Sequence, residues 1–196
     1  MPRASQEQVR IHKARIEQAS ARLVRERGLR NTRVADVMAA AGLTQGGFYG
    51  HFKSKDALAA AACSTAFQQS TARWEQAIKA TTSPQAARAT IIERYLGAQH
   101  LSHPAEGCPT VALATDVARE PADKPVRQTY TEGVKRQIDI LKRVQSACAA
   151  PEAEQRAMTQ LCLLVGAMAL ARATRGDEIS TAFLSAAKDQ LLKTCA

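Results

Sequence analysis

Four of the six X-Pro steps after residue 80 stand where a helix can open: Ser83-Pro84, Cys108-Pro109, Lys124-Pro125 and Ala150-Pro151. Proline has a fixed φ and no amide hydrogen. It suits the first turn of a helix, where no donor is needed, and it disrupts a helix interior or a sheet ladder. The stretches between these steps carry apolar residues at helical spacing, alanine is abundant, and alternating or β-branched runs are scarce. The fold class predicted is all-α. Helices are expected from Pro84 to about Gln99, from Pro109 to about Arg119, from Pro125 to Ala149, from Pro151 to about Ala173, and from Glu178 to Lys193. The connections are short except for 100–107.

Glycine does the punctuating before residue 80. A first helix is expected from about Gln8 to Arg27, with Ile16, Ala19 and Leu23 on one face and Gly28 as a left-handed cap. Thr32 is the expected N-cap of a second helix whose stripe is Val34, Val37, Met38 and Ala41. Gly42 ends that helix and Thr44 is placed to cap a third, so that only Gly42 and Leu43 form the corner. Two short helices on so tight a glycine turn make a helix-turn-helix signature. Ser54 caps the next helix, expected to run to about Ala80.

The third helix contains Gly46, Gly47 and Gly50, each costing about 0.8–1 kcal/mol relative to alanine in a helix interior. Close approach to a DNA duplex gives a reason for them. The second helix of such a pair enters the major groove amino end first, and side-chain bulk there would hold the backbone away. The competing reason is tight packing of one helix on another. The neighbours suit the first. Gln45 offers a base-edge contact, Tyr49 and His51 donors for phosphates, and Lys55 a cation, with Thr32 and Arg33 placed across the groove.

Charge supports the same end of the molecule. Residues 1–56 hold eleven Lys/Arg against five Asp/Glu, so +6 of the overall +9 lies in less than a third of the 196-residue chain. A basic segment on a nearly neutral remainder points to a polyanion partner. No run reaches the roughly 18 apolar residues of a membrane span, and the first ten residues lack a signal-peptide core. Five scattered cysteines without a CxxC pair fit a reduced, cytoplasmic protein.

From Ile16 to Leu58 the chain resembles the DNA-binding domain of the TetR family of transcriptional regulators. The resemblance rests on Thr32, Ala41-Gly42, Thr44, Gly46, Tyr49, His51-Phe52, Ser54-Lys55 and Leu58 at fixed spacing. Gly50 departs from the pattern, where bulkier residues are usual. The resemblance implies a helix-turn-helix DNA-binding domain over residues 1–55 and a helical ligand-binding and dimerisation domain over 56–196. It also implies a homodimer on a roughly palindromic double-stranded operator and a small-molecule inducer. The function expected is transcriptional repression relieved by that inducer or by thiol modification, with no cofactor and no catalysis. A non-specific architectural DNA binder is the alternative.

The run Leu161–Ala171 is apolar nearly all round and needs a partner beyond its own core. The final helix, with Ile179, Ala182, Phe183, Ala186 and Leu191, is expected to pair with it, and two such pairs would form the dimer interface. The segment 107–119 looks like a motif in one branch of TetR-type regulators. It places Cys108 at the amide end of a helix, where a thiolate is favoured, so Cys108 is the candidate sensing thiol. The other cysteines, Cys162 included, are expected to be small core residues. His100 and His103 lie in a loop at a spacing too loose for a rigid zinc pair, and no metal site is expected. An enzyme with Cys108 as nucleophile and one of these histidines as base lacks an orienting group. Phe67, Trp74, Tyr95 and Tyr130 are candidate pocket residues alongside Cys108.

Overall fold

The computed structural model describes residues 6–145 and 150–193. Among them, nine α-helices and two short 3-10 segments form the whole regular structure, and there is no strand. The helices are α1 Gln6–Arg27, α2 Val34–Ala40, α3 Lys55–Lys79, α4 Pro84–Tyr95, α5 Ala98–Ser102, α6 Pro109–Ala118, α7 Pro125–Arg143, α8 Ala150–Ala173 and α9 Ile179–Lys193. No helix among the described residues is long and apolar enough to cross a membrane.

The X-Pro steps act as expected. Pro84, Pro109 and Pro125 each occupy a first helical position, and Ser83 Oγ accepts the Ala86 amide at 3.1 Å. Ser54 caps α3 in the same way, accepting from Ala57 N at 3.1 Å. Gly28 and Gly42 both have positive φ, 83° and 72°, and close α1 and α2 as the sequence anticipates.

Several expectations are corrected. Thr32 is not the N-cap of α2. Arg33 is, and the Thr32 hydroxyl instead donates to Gly28 O at 2.7 Å, closing the end of α1. The third helix of the head is a 3-10 segment, Gln45–Gly50, because three glycines in six residues leave too little helix propensity for a full α-turn. The helix opened by Pro84 stops at Tyr95, with Gly97 starting the separate short α5. The supposed loop 100–107 is therefore largely helical, with α5 and a 3-10 turn over Pro104–Glu106. α7 ends at Arg143, and the expected end at Ala149 lies outside the described residues. Cys162 is exposed rather than in the core, since it falls on the outward stripe of α8.

Three apolar cores lie along α3, which at about 1.5 Å per residue is about 37 Å long. Leu58, near its start, joins Ile16, Leu23, Val37, Met38, Phe48 and Phe52 in the head. Ala62, Cys63 and Phe67 join Val24, Leu29 from the α1 end and Leu113, Val117 from α6. Trp74 and Ala77 belong to the largest core, with α4, α7, α8 and α9. One rigid helix thus carries both the amino-terminal head and the larger helical body. α7 lies against it, and Gly133 sits so close to Phe67 that an added Cβ would fall 2.3 Å from the ring.

Candidate nucleic-acid interface and internal cavity

Phe48 and Phe52 hold the 3-10 segment down, both buried and stacked with ring centroids 5.9 Å apart. Around that anchor the chain faces outward. Thr44, Gln45, Gly46 and Gly47 are exposed, Tyr49 is 79% exposed, and Arg33, Lys53 and Lys55 are exposed at the flanks. Of the nine residues expected to meet DNA, seven therefore stand in solvent: Arg33, Thr44, Gln45, Gly46, Gly47, Tyr49 and Lys55. Thr32 does not: it is 5% exposed and its hydroxyl is occupied at Gly28 O. His51 is half-buried and lies edge-on to His12, ring centroids 6.0 Å apart. Burial, then the neighbouring His12 and Lys13, pull the His51 imidazole below its ordinary pKa, which weakens it as a cation for phosphate.

The glycines separate the two reasons given for them. A Cβ added at Gly46 or Gly50 would meet nothing within 4 Å, and one at Gly47 would make an ordinary 3.8 Å contact with Met38. None of the three has positive φ. Internal packing and backbone conformation thus leave all three positions open to alanine. No contact within the described residues calls for glycine there.

A second feature is a cavity of about 530 Å³ between α3, α4, α5 and the 104–108 turn. Trp74, Tyr95 and Cys108 line it, as expected from the sequence, together with Ser70, Arg73, Ile91 and His100. Phe67 and Tyr130 do not. They pack on each other 5.5 Å apart in the core where α3 meets α6 and α7, and Tyr130 Oη donates to Thr110 O at 3.0 Å. Sequence reasoning passed over Ser70 and Arg73, whose three-residue spacing on α3 puts both on the face that carries Trp74 and Ala77.

Cys108 is 2% exposed and is the N-cap residue of α6. Gln137 Nε2 donates to its sulfur at 3.3 Å, and its amide donates to His100 Nε2 at 2.9 Å. Accepting at Nε2 leaves His100 Nδ1 to carry the proton, which it donates to Tyr95 O at 2.7 Å. Burial drives the His100 pKa down to about 4, so the ring is neutral near pH 7. With both nitrogens engaged, His100 has no lone pair to serve as base for the thiol. His103 is held at Gln99 O by Nδ1. No cluster of three or more His, Cys, Asp or Glu side chains suited to a metal ion occurs among the described residues.

Two contacts join this region to α1. Arg25, buried in the last turn of α1, donates to Gln69 Oε1 at 2.6 Å and to Gly107 O at 3.4 Å. At the other end of α6, Asp116 Oδ2 accepts the Leu29 amide at 2.7 Å, just past the Gly28 cap. The turn before α6 and the last turns of α6 are thus both tied to the carboxyl end of α1.

Residues 16–62 match the sequence model for bacterial regulatory proteins of the tetR family. They form a TetR-family domain. Members of this family are DNA-binding transcription factors rather than enzymes. No protein of curated function matches the chain significantly. Its whole fold is similar to that of solved TetR-family regulators. One from Agrobacterium tumefaciens is 20% identical, with 95% of this chain and 98% of that one covered and a TM-score of 0.77. One from Cytophaga hutchinsonii is 19% identical, with 98% of each covered and a TM-score of 0.78. The reduced form of E. coli NemR is 20% identical, with 91% and 95% covered and a TM-score of 0.74. The likeness extends well beyond the TetR domain, and the chain as a whole has the fold of a helix-turn-helix DNA-binding regulator.

Proposed function

We propose that the chain is a homodimeric transcriptional repressor. It holds a palindromic operator through the Gln45–Gly50 segment and releases it when a small molecule, or an electrophile adding at the Cys108 sulfur, occupies the cavity. The functional division is the one anticipated, with residues 1–55 binding DNA and 56–196 binding ligand and partner. The observation that carries this reading is this double tie. The amino end of α6 borders the cavity at Cys108, and the turn before it and its last turns hold α1 through Arg25 and Asp116. A ligand that binds one setting of α6 more tightly shifts the head between arrangements, and only by that difference in affinity.

Dimer formation is supported by the outer faces of α8 and α9. Ala157, Leu161, Leu164, Met168 and Ala171 point into the core, whereas Met158, Cys162 and Leu170 face out. On α9 the buried residues are Ser180, Leu184, Ala187 and Leu191, while Ile179, Ala182 and Ala186 are exposed and Phe183 is half-buried. These outward apolar residues on two helices that pack together suit a second copy.

Selection of bound duplexes from a random pool with the purified chain tests the DNA half. An inverted repeat with half-sites one DNA turn apart, or a multiple, is expected. Equal retention of all sequences with steep salt dependence would instead mark an architectural binder. For the thiol, Cys108→Ser should abolish release by electrophiles and leave operator binding intact. Unchanged release would remove Cys108 from the mechanism.

A further inference from the structure

The side chains around the 106–108 turn carry an unusual charge balance. Arg25, Arg73 and Arg172 converge there, and none forms an ion pair with a carboxylate among the described residues. They are held by neutral acceptors instead. Arg73 donates to Glu106 O at 2.5 Å, Arg172 to His100 O at 2.6 Å, and Arg25 to Gly107 O and Gln69. The Nε groups of Arg25 and Arg172 are buried without a partner. Burial lowers the pKa of all three, and that of Arg25, brought to about 10, is lowered further by Arg73 beside it. The Glu106 carboxylate favours the protonated form of Arg25 and Arg73. Three guanidinium groups against that one carboxylate leave the Cys108 end of the cavity positive.

The same end holds a polar group that the fold satisfies only weakly. The Tyr95 hydroxyl is fully buried and, apart from the Cys108 sulfur that faces it, has no hydrogen-bonding partner. A buried hydroxyl with only a weak acceptor is costly, and a native site that tolerates one calls for an explanation. Arg94, Glu93 and Glu106 also line the cavity, all of them exposed. Counting these with the three convergent arginines gives four guanidinium groups against two carboxylates. Away from the charged end the wall is apolar, formed by Trp74, Ala77 and Ile91.

We propose that the cavity takes an organic carboxylate, its acidic head against Arg73 and the Tyr95–Cys108 wall and its apolar body along Trp74, Ala77 and Ile91. This rests on the reading of the cavity as the effector site and names the chemical class of the effector. A carboxylate supplies the Tyr95 hydroxyl with an oxygen acceptor stronger than the Cys108 sulfur, and adds to the single counter-charge, Glu106, beside Arg25 and Arg73. A volume of about 530 Å³ suits a small organic molecule rather than a bare ion. Arg73, exposed at the cavity edge, meets the anion on entry; Arg25 transmits its presence, since it belongs to α1.

Trp74 is the only tryptophan in the chain, so its fluorescence reports the cavity directly. The full-length protein is titrated with octanoate and 4-phenylbutyrate, with the corresponding amides octanamide and 4-phenylbutanamide, and with inorganic phosphate. Saturable changes are expected for the carboxylates, at least about tenfold tighter than for the amides, and none for phosphate. Arg73→Met should remove the preference and Arg73→Lys should restore part of it, with both variants shown to be folded by circular dichroism, since the Arg73 bond to Glu106 O lies at the exposed rim of the cavity. Amides binding as tightly as the acids, phosphate binding as tightly as either, a preference that survives in Arg73→Met, or no response to any probe would each overturn the proposal. Repeating the titration on the complex with selected DNA separates the two claims. Amides that release DNA while carboxylates do not would sink the carboxylate class and keep the effector cavity. Carboxylates that bind with the expected preference and leave DNA held would do the reverse.

Discussion

Around Gln45–Gly50 nearly every side chain but Phe48 stands in solvent, and Tyr49 is 79% exposed. Around Cys108 the polar groups turn inward: Cys108, Ser70 and Gln137 are all buried, and Gln137 bridges Ser70 and Cys108. The two regions depend on opposite kinds of order. The head relies on a few apolar anchors beneath a bare backbone, so its surface chemistry changes at little cost to folding. The cavity wall relies on buried polar partners, where losing one member strands another. Chemistry at the head is separable from stability; chemistry at the cavity is not.

That contrast breaks first at Phe48. Phe48→Ala should cost about 3–5 kcal/mol in denaturant unfolding, because the ring anchors the segment through Met38 and Phe52. DNA capture should be lost with it. A cost below about 1 kcal/mol would mean the head is held by something other than its aromatic anchor.

Asp116→Ala comes next, at about 1–3 kcal/mol, since it removes the acceptor of the Leu29 amide. It should also weaken the coupling between cavity and head, read as a smaller change in operator affinity on adding effector. Full coupling in this variant would show that α6 acts through Arg25 alone.

His100 sharpens the comparison through pH. Its folded pKa, about 4, lies below the ordinary 6.5, so between those values the unfolded chain binds the extra proton. The stability His100 contributes is complete above about pH 6.5 and is lost as pH falls toward 4. Melting temperature should therefore fall more steeply between pH 7 and 4.5 in the parent than in His100→Gln, whose amide does not titrate. Parallel curves would mean that His100 is not held neutral.

The smallest effects on folding belong to the head surface. Gly46→Ala and Tyr49→Ala should leave stability within about 0.5 kcal/mol, since Gly46 has open space around it and Tyr49, though edge-on to Phe48, is 79% exposed. Both should weaken binding to the selected operator, Tyr49→Ala by about fivefold to tenfold for one lost phosphate contact of about 1–1.4 kcal/mol. An operator affinity unchanged in both variants would detach this surface from DNA.

The sequence was most legible where local rules decide. Proline at first helical positions, glycine with positive φ at Gly28 and Gly42, and the cap at Ser54 depend on a few neighbouring residues, and all formed as anticipated. The apolar stripes of α1 and α2 were equally readable, because helical spacing alone puts Ile16 with Leu23 and Val37 with Ala41. The exposure of most residues in the Thr44–Tyr49 stretch followed from the same local pattern. Thr32 shows the limit: a threonine two residues before a helix suits a cap, yet its hydroxyl donates back to the Gly28 carbonyl and accepts no amide of α2.

Spacing along one chain also could not divide the aromatics. Phe67 and Trp74 lie two turns apart on α3, but Gly133 of α7 closes over the first while α4 and α5 leave space beside the second. Nor does any local signal bring Arg25, Arg73 and Arg172 to one turn, since residues so distant in sequence meet only when α1, α3 and α8 pack. Periodicity and capping are properties of consecutive residues and are written in the chain. A cavity and its field arise from what several helices leave between them, and only their packing decides it.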